Sequence, residues 1–219
     1  MSKVVIFGTG SMAEVVHYYL SEQSPHDVVA FTAHGDRIEQ REFQRRPVEP
    51  YEEIVDAFPP SDFAMFVAVG YAGINRVRAD IFADAKSKGY TLISYVSPQC
   101  TRIGEFPIGE NCFLFEDNTL QPFVTIGDNV IMWSGNHIGH HSTIDDHCFI
   151  TSHVVVSGHC RVGRRSFLGV NATLRDNIQI GEACVIGAGA LIMKSTRDRE
   201  VYVGERTKKF AKSSDEINM

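Results

Sequence analysis

An aliphatic side chain or a methionine recurs at every sixth position of this chain, without a slip, over fifteen consecutive hexads. The fifteen residues are Ile108, Leu114, Leu120, Ile126, Met132, Ile138, Ile144, Ile150, Val156, Val162, Leu168, Leu174, Ile180, Ile186 and Ile192. This period predicts a solenoid in which each hexad forms one short strand, and three hexads, about 18 residues, complete a triangular coil. The recurring side chain then points into the prism. We therefore predict a parallel β-helix over residues 98–193.

Two further positions of the hexad carry small residues. Glycine often follows the aliphatic residue, which we interpret as tolerance of the turn between strands. The residues four places after the aliphatic one include Cys112, Ser142, Cys148, Cys160, Ser166, Ala172, Cys184 and Ala190. Four of the five cysteines belong to this class, and the sequence contains no Cys-x-x-Cys pair. We interpret these cysteines as small core residues rather than as disulfide partners or metal ligands.

The first 97 residues follow a different pattern, in which apolar strands alternate with amphipathic helices. The predicted strands are 4–7, 28–31, 63–69 and 91–96, and the predicted helices are about 11–20 and 74–88. Ser11 and Glu14 have the spacing of a capping box at the start of the first helix. These elements predict a small α/β domain over residues 1–97, a βαβ unit of half-Rossmann type.

Glycines between the first strand and the first helix mark a candidate ligand site, because they let the backbone approach an anion at a helix N-terminus. The third glycine of the full dinucleotide fingerprint is missing, and no acidic residue ends the second strand, which argues against an NAD-dependent enzyme. We expect one mononucleotide-sized site, formed by Gly8, Thr9, Gly10, Ser11, Thr32 and Gly70. A docking domain without a ligand is the alternative.

Charge and hydropathy exclude other classes of protein. The formal net charge is −6 and the pI is near 5.8, which argues against a nucleic-acid partner because such proteins present a basic face. No apolar run approaches the roughly 20 residues that span a bilayer. The N-terminus enters an apolar strand directly and lacks the pattern of a signal peptide. We therefore expect a cytoplasmic protein.

A short βαβ domain that begins with Gly-x-Gly and joins a hexapeptide helix directly resembles the bacterial sugar acyltransferases of the sialic acid O-acetyltransferase type. Their relatives include the N-acetyltransferases of UDP- and GDP-linked 4-amino sugars, as in bacillosamine and perosamine synthesis. The resemblance covers nearly the whole chain. It implies a left-handed β-helix, a homotrimer with its active sites between subunits, acetyl-CoA as co-substrate, and a nucleotide-activated amino sugar as acceptor.

The most specific part of this resemblance is the stretch Ile138-Gly139-His140-His141-Ser142-Thr143-Ile144-Asp145-Asp146-His147. The family has a similar coil in which a histidine, the proposed general base, precedes an aspartate or glutamate. By residue match, His140 takes the position of the base. His141 takes the position of the carboxylate, and this departure matters because a neutral imidazole would orient the base without stabilising its protonated form to the same degree.

The last coil of the repeat is the second part of the resemblance. Residues 186–194 are similar to the coil that cradles the pantetheine arm of CoA, which implies acetyl-CoA contacts in this region. The implied contact residues are Gly169, Gly187, Ala188, Gly189 and Lys194. Residues 203–208 are similar to the tail motif of the family, although Arg206 and Thr207 depart from its Gly-x-Pro-Ala-Lys pattern. We place a C-terminal tail at 194–219.

Six of the nine histidines lie between residues 137 and 159, which raises the question of a metal site. His141, His147, His153 and His159 share one hexad position, three after the aliphatic residue. Only His141 and His159 are one full coil apart, so we expect these two to stack, on strands about 4.8 Å apart. For His147, His153 and His159 we expect exposed or intersubunit positions. Because catalytic zinc needs three convergent protein ligands, we predict no metal.

The leading hypothesis is therefore an N-acetyltransferase in which the amine of a nucleotide-linked deoxy-aminosugar attacks the thioester of acetyl-CoA directly. His140 would remove the proton, and a backbone N–H would stabilise the oxyanion. The alternatives are a sugar O-acetyltransferase, a non-catalytic trimeric scaffold or ligand sensor, and a metal-dependent hydratase. The identity of the nucleotide is left open between UDP, dTDP and GDP.

Overall fold

The computed structural model describes residues 1–217 as two packed parts, an N-terminal α/β unit and a parallel β-helix. The helices are α1 (Ser11–Gln23), α2 (Ile54–Ala57) and α3 (Arg76–Ser87). The strands of the α/β unit are β1 (Lys3–Phe7), β2 (Asp27–Ala33), β3 (Glu42–Phe43), β4 (Arg46–Pro50) and β5 (Phe63–Val67). Residues 218 and 219 of the predicted C-terminal tail lie outside the described residues.

The β-helix consists of two-residue strands. From β6 to β21 each strand starts a multiple of six residues after its predecessor, and β22 follows ten residues after the start of β21. The strands are β6 (Tyr95–Val96), β7 (Thr101–Arg102), β8 (Phe113–Leu114), β9 (Thr119–Leu120), β10 (Thr125–Ile126), β11 (Ile131–Met132), β12 (His137–Ile138), β13 (Thr143–Ile144), β14 (Phe149–Ile150), β15 (Val155–Val156), β16 (Arg161–Val162), β17 (Phe167–Leu168), β18 (Thr173–Leu174), β19 (Gln179–Ile180), β20 (Val185–Ile186), β21 (Leu191–Ile192) and β22 (Val201–Tyr202). Short 3-10 helices occur at Gly35–Arg37, Tyr51–Glu53 and Ser214–Glu216.

The sheet of the α/β unit has the strand order β3-β4-β2-β1-β5 and is parallel except for the β3–β4 pair. The carboxyl ends of β1, β2 and β5 therefore lie at one edge. The capping box predicted at the start of α1 is wrong. Gly10 is the N-cap and makes no side-chain cap hydrogen bond, while the Glu14 carboxylate accepts a hydrogen bond from the Gln44 amide at 2.9 Å.

The predicted strand 91–96 is divided between the two parts of the fold. Leu92 forms a parallel bridge with Met65 of β5, whereas Tyr95–Val96 pairs with β8 of the β-helix. The chain therefore passes from the α/β sheet into the first coil within three residues, and no linker separates the two parts.

Three sheets form the walls of the prism, and their strands pair in parallel with an offset of 18 residues, except for β20 and β22, where the offset is 16. The recurring aliphatic side chains predicted to point inward are buried from Leu114 to Ile192 and form one core, against which Ile108 packs. The four hexad cysteines are free thiols in this core, as predicted. Burial of aliphatic surface, which contributes roughly 25 cal/mol per Å², is thus continuous along the axis.

The corners of the prism depend on a left-handed backbone conformation at one position of each hexad. The third residue after the aliphatic one has a positive φ in every hexad from Asn111 to Gly189. Asn and Gly tolerate this conformation, and histidine is also enriched in it among non-glycine residues. The four histidines that share a hexad position are therefore corner residues, with φ between 56° and 62°.

The glycine that follows the aliphatic residue serves a different purpose from the one predicted. Gly139, Gly163 and Gly169 have no positive φ, so the turn does not require glycine there. A Cβ added at Gly163 would lie 2.6 Å from the carbonyl carbon and oxygen of Gly181 in the next coil. Glycine is present because successive coils approach each other too closely for a side chain.

The α/β unit packs on the wall made by β8, β11, β14 and β17, which we call the docking face. Its outward side chains Phe113, Ile131 and Phe149 belong to the same buried cluster as Val4 and Ile6 of β1. The docking face connects two corners of the prism, the first at residues 111, 129, 147, 165 and 183 and the second at residues 117, 135, 153, 171 and 189. The third corner, at residues 123, 141, 159 and 177, lies on the opposite side. Access to that third corner is therefore not limited by the α/β unit of the same chain.

Arg78 of α3 fixes the contact between the two parts. Its guanidinium is fully buried and donates to the carbonyl oxygens of Gly70, His147 and Cys148, at 3.0, 2.8 and 3.1 Å, and to the side chain of Asn129. Burial lowers the pKa of Arg78 to about 10. Carbonyl groups solvate the charge in place of water, so the loop after β5 is held against the β-helix.

The close approach of coils at Gly163 is testable by thermal unfolding. Gly163→Ala should destabilise the fold by about 1–3 kcal/mol, because the added methyl group must displace backbone of the next coil. The corresponding fall in Tm is roughly 2–4 °C per kcal/mol. Gly189→Asn is the control, since Gly189 has φ +68° and open space around its Cβ direction. Equal Tm values for the two variants would contradict the steric explanation.

Candidate active site

The third corner of the prism carries a cluster of imidazoles. Phe123, His141 and His159 occupy successive coils of this corner, and His140 precedes His141 in the sequence. We call these four residues the histidine corner. All four side chains are exposed in the single chain. One ring nitrogen of each of the three histidines lies within 4.8 Å of the others.

His140 is held from three sides. Its Nδ1 lies 3.1 Å from Nδ1 of His141, and its backbone N–H donates to the side-chain oxygen of Gln121 at 2.9 Å. Its ring lies over Gly158 of the next coil, where an added Cβ would be 2.8 Å from Cε1. The ring orientation therefore depends on His141 and on the absence of a side chain at residue 158. Nε2 is the nitrogen that is free for an incoming substrate, as no hydrogen bond within residues 1–217 involves it.

The predicted stacking of His141 and His159 is confirmed. Their ring centroids are 4.7 Å apart with an interplanar angle of 14°. Phe123 continues the column below His141 at 4.5 Å, and His140 meets His159 edge to face at 5.0 Å. The column of aromatic rings restricts His141, which in turn contacts the proposed base. Phe123 was not predicted, although the phase of the hexad repeat places it one coil before His141.

The other corner histidines lie elsewhere. His153 is exposed at the second corner, where its ring lies beside Gly135. His147 is buried against the α/β unit, contrary to the expectation of an exposed position. Its Nδ1 lies 2.9 Å from the Asn129 amide nitrogen, and its ring meets Phe82 at 5.4 Å. Burial lowers the pKa of His147 to about 4. The hexad position alone could not distinguish a corner covered by α3 from an open one.

The residues predicted to bind acetyl-CoA lie on two corners. Gly187, Ala188 and Gly189 form the last turn of the second corner, and Gly169 is buried directly beneath Ala188. Lys194 belongs to the last coil at the histidine corner and occupies the hexad position of His140, three coils later. Three steps of about 4.8 Å separate them by about 14 Å along the axis. The wall between these corners carries exposed Leu191.

The residues predicted for the nucleotide site do not form a single lining. Thr9 and Gly10 face a cavity at the sheet edge, whereas Gly8, Ser11, Thr32 and Gly70 are not among its lining residues. Gly8 donates its N–H to the Thr32 carbonyl at 2.8 Å, and a Cβ on Gly8 would lie 2.8 Å from the Ala68 carbonyl oxygen. Thr9 and Gly10 line a cavity of about 330 Å³. The Thr32 side chain is fully buried and donates to the Glu49 carbonyl, so it faces the sheet rather than the cavity.

The remaining lining of this cavity comes from a segment that the sequence did not indicate. Its residues are Arg37, Ile38, Glu39, Gln40, Glu42, Phe43 and Val48. Arg37 is well exposed and lines the cavity beside the glycine turn, while its guanidinium lies 3.7 Å from the Asp36 carboxylate. Gly70 lies within the loop between β5 and α3, and its carbonyl oxygen accepts a hydrogen bond from Arg78 instead of lining the cavity. A cation and backbone amides at a helix N-terminus suit a phosphate group.

The comparisons with known proteins agree with this arrangement at the level of the fold. Residues 159–194 match the family model of the bacterial transferase hexapeptide, six repeats. One similar solved structure is a histidine-to-asparagine variant of perosamine N-acetyltransferase from Caulobacter crescentus, in complex with CoA and GDP-perosamine. Its sequence is 24% identical to this one, and the match has a TM-score of 0.83 and covers 93% of this chain and 94% of that chain. This chain shares its fold. A search of curated proteins returned no match.

Two further solved structures have the same fold. The acetyltransferase domain of PglB from Neisseria gonorrhoeae FA1090, in complex with acetyl coenzyme A, is 24% identical, with a TM-score of 0.80 over 92% of this chain and 96% of that chain. WeeI from Acinetobacter baumannii AYE is 17% identical, and its match has a TM-score of 0.77 over 93% of this chain and 97% of that chain. The predicted α/β unit followed by a left-handed parallel β-helix is confirmed. Within residues 1–217 no helix is long and apolar enough to span a membrane.

The burial of His147 predicts a loss of stability in acid. Its imidazole titrates near 6.5 when unfolded and near 4 when folded, so between these values the unfolded chain binds more protons. Stability should therefore fall as the pH decreases from about 6.5 towards 4. His147→Asn, which suits the positive φ, should reduce the difference in Tm between pH 7.5 and pH 5. An unchanged difference would contradict the assignment, since His17 and His26 keep their own contributions.

Proposed function

We propose that this chain is an acyltransferase that moves the acetyl group of acetyl-CoA to the amino group of a nucleotide-linked deoxy-aminosugar. The observation that carries the proposal is His140, an exposed imidazole whose Nδ1 is engaged by His141 and whose Nε2 is unengaged, on a fold shared with a protein crystallised with CoA and GDP-perosamine. In this proposal the α/β unit binds the nucleotide, and the β-helix binds CoA and carries the general base His140.

The chemistry follows from the geometry around His140. The amine of the sugar attacks the thioester carbonyl, and Nε2 of His140 accepts the proton that the amine loses. The tetrahedral adduct then collapses as its C–S bond breaks, and CoA leaves as the thiol after it takes that proton from His140. For Nε2 to hold the lone pair, Nδ1 of His140 carries the ring hydrogen and donates it to Nδ1 of His141, which fixes the ring and its tautomer. The oxyanion is stabilised by a backbone N–H of an adjacent coil. The hexad cysteines take no part, because their thiols are buried in the core.

Acetyl-CoA is proposed to lie along the histidine corner, with its thioester near His140 and its phosphates towards the last coils. Lys194 lies in the same column as His140 and is exposed. The described part of the tail carries further exposed cations at Arg206, Lys208 and Lys209. Positive charge at this end suits the phosphates of the nucleotide part of CoA. Gly187, Ala188 and Gly189 border the adjoining wall and would contact the pantetheine arm.

The nucleotide is proposed to occupy the cavity beside Thr9 and Gly10, with a phosphate near Arg37. This cavity belongs to the unit packed on the docking face, whereas His140 lies at the opposite corner of the prism. A sugar held in the cavity therefore meets a His140 only from another copy of the chain. A homo-oligomer with active sites between subunits, a trimer in the leading hypothesis, satisfies this requirement.

Replacement of the base tests the mechanism. His140→Ala should lower kcat/KM for CoA release with an amino-sugar acceptor by about 10²- to 10⁴-fold, the usual contribution of general base catalysis. Acetyl-CoA affinity measured by calorimetry should change little. His153→Ala, at an exposed corner away from the cluster, is the matched control. Full activity of His140→Ala would refute the role of this residue.

Competition by free UDP, dTDP or GDP separates a nucleotide-linked acceptor from a free sugar.

Mixing of two inactive variants tests whether the site spans two copies. Gly10→Tyr fills the cavity from a position with open space around it, and His140→Ala removes the base. Suppose that each site combines the cavity of one copy with the base of another. In a 1:1 mixture that assembles at random, about a quarter of the sites then contain both an intact cavity and an intact base, so about a quarter of wild-type activity should return. Activity that stays at the level of the two separate variants would place both groups in one copy and contradict the arrangement.

A further inference from the structure

The histidine corner has a property that acetyl transfer does not require. His140, His141 and His159 bring three imidazoles together, with one nitrogen of each within 4.8 Å of the others. A general base needs one orienting partner, which His141 already provides. His159 adds a third ring from the next coil and stacks on His141 without a hydrogen bond to it among the described contacts. Three exposed imidazoles on one corner constitute a set of nitrogen ligands.

No carboxylate neutralises this cluster in the described part of the chain. The ion pairs found within residues 1–217 include none of the three histidines, and Asp145, the nearest aspartate in the motif, pairs with Arg161 at 2.9 Å. Nδ1 of His140 faces Nδ1 of His141 at 3.1 Å, and neutral imidazoles share a single proton across such a contact. A metal ion can replace this shared proton, because each neutral ring can carry its hydrogen on Nε2 and offer the lone pair of Nδ1.

The distances suit a transition metal ion. Zinc binds histidine nitrogen at about 2.0–2.1 Å, so tetrahedral ligands lie roughly 3.3–3.4 Å apart. The Nδ1 atoms of His140 and His141 are already at 3.1 Å. His159 needs a rotation of its side chain, which is exposed and whose backbone is fixed by the corner. Three imidazoles with an open fourth position favour Zn²⁺, Ni²⁺ or Cu²⁺ over Mg²⁺ or Ca²⁺, which prefer oxygen ligands.

We propose that the histidine corner binds a divalent transition metal ion, Zn²⁺ in particular, and that the bound ion inhibits acetyl transfer. An ion bound at Nδ1 of His140 forces the ring hydrogen onto Nε2, so Nε2 no longer accepts the proton of the amine. The metal is an inhibitor and not a cofactor of the reaction. The inhibitory part rests on the proposed function, whereas the binding part depends on the three side chains alone.

Binding is tested by calorimetry on protein freed of metal by a chelator, with ZnSO₄ as the titrant. Wild type should bind one Zn²⁺ per chain at this corner. His159→Asn, which retains the base and its partner, should bind at least tenfold more weakly, since even outer-shell changes at such sites cost 10- to 100-fold. His153→Asn is the control because it changes the same hexad position at another corner. Equal affinities for wild type and His159→Asn would overturn the site.

Inhibition is tested in the CoA-release assay with and without Zn²⁺. Wild type and His153→Asn should be inhibited, with activity restored by EDTA, and the inhibition constant of His159→Asn should rise by the factor seen for binding. Zinc binding that is weakened in His159→Asn as predicted, but without inhibition of wild type, would overturn the inhibitory part and leave the site. If no acceptor supports CoA release, the proposed function fails, and the calorimetry still decides the metal site.

Discussion

The pairing of each coil with the next one is the interaction on which the rest of this structure depends. Backbone N–H groups such as those of Phe113 and Ile131 donate to carbonyl groups 17 residues ahead, at 2.9 and 3.1 Å. To repeat this pairing, the chain must turn at the same three corners in every coil. The left-handed corner residue, the inward aliphatic residue and the glycine at the close approach all follow from that requirement.

The same constraint creates the candidate active site. A corner residue cannot turn inward, because its backbone conformation is fixed, so His141 and His159 are presented to solvent one coil apart and stack. His140 precedes the corner and lies over Gly158. The docking face determines which corner stays open. Aromatic side chains on β8, β14 and β17 pack the α/β unit against one wall, and the guanidinium of Arg78 donates to a carbonyl oxygen of that wall. The opposite corner therefore stays accessible to substrates.

Features that depend only on the period could be predicted from the sequence. The phase of Ile108 to Ile192 predicted the inward residues, the buried cysteines and the stacking of His141 on His159, because each of these follows from counting by six and eighteen. Features that depend on the packing of the two parts could not. His147 has the same hexad position as His141 but is covered by α3, and only the docking of the α/β unit distinguishes them.

Local motifs were less informative than the period. The spacing of Ser11 and Glu14 suggested that Ser11 is the N-cap of α1. The N-cap is instead Gly10, one residue earlier, so Ser11 is already the first residue of the helix. The cavity is completed by residues 37–43, a segment whose sequence carries no pattern, and this segment replaces Thr32 as the lining. The role of glycine after the aliphatic residue was also misjudged, because sequence alone does not separate a requirement for positive φ from one for close approach.

The most direct test of the central claim is mass spectrometry of the acceptor after incubation of the protein with acetyl-CoA and a panel of UDP-, dTDP- and GDP-linked amino sugars. The account predicts that one of these gains a single acetyl group on its amine while its nucleotide stays attached. It also predicts that the gain depends on His140. Acetylation of a hydroxyl group of a free sugar, or no acetylation of any acceptor by an intact oligomer that binds acetyl-CoA, would contradict it.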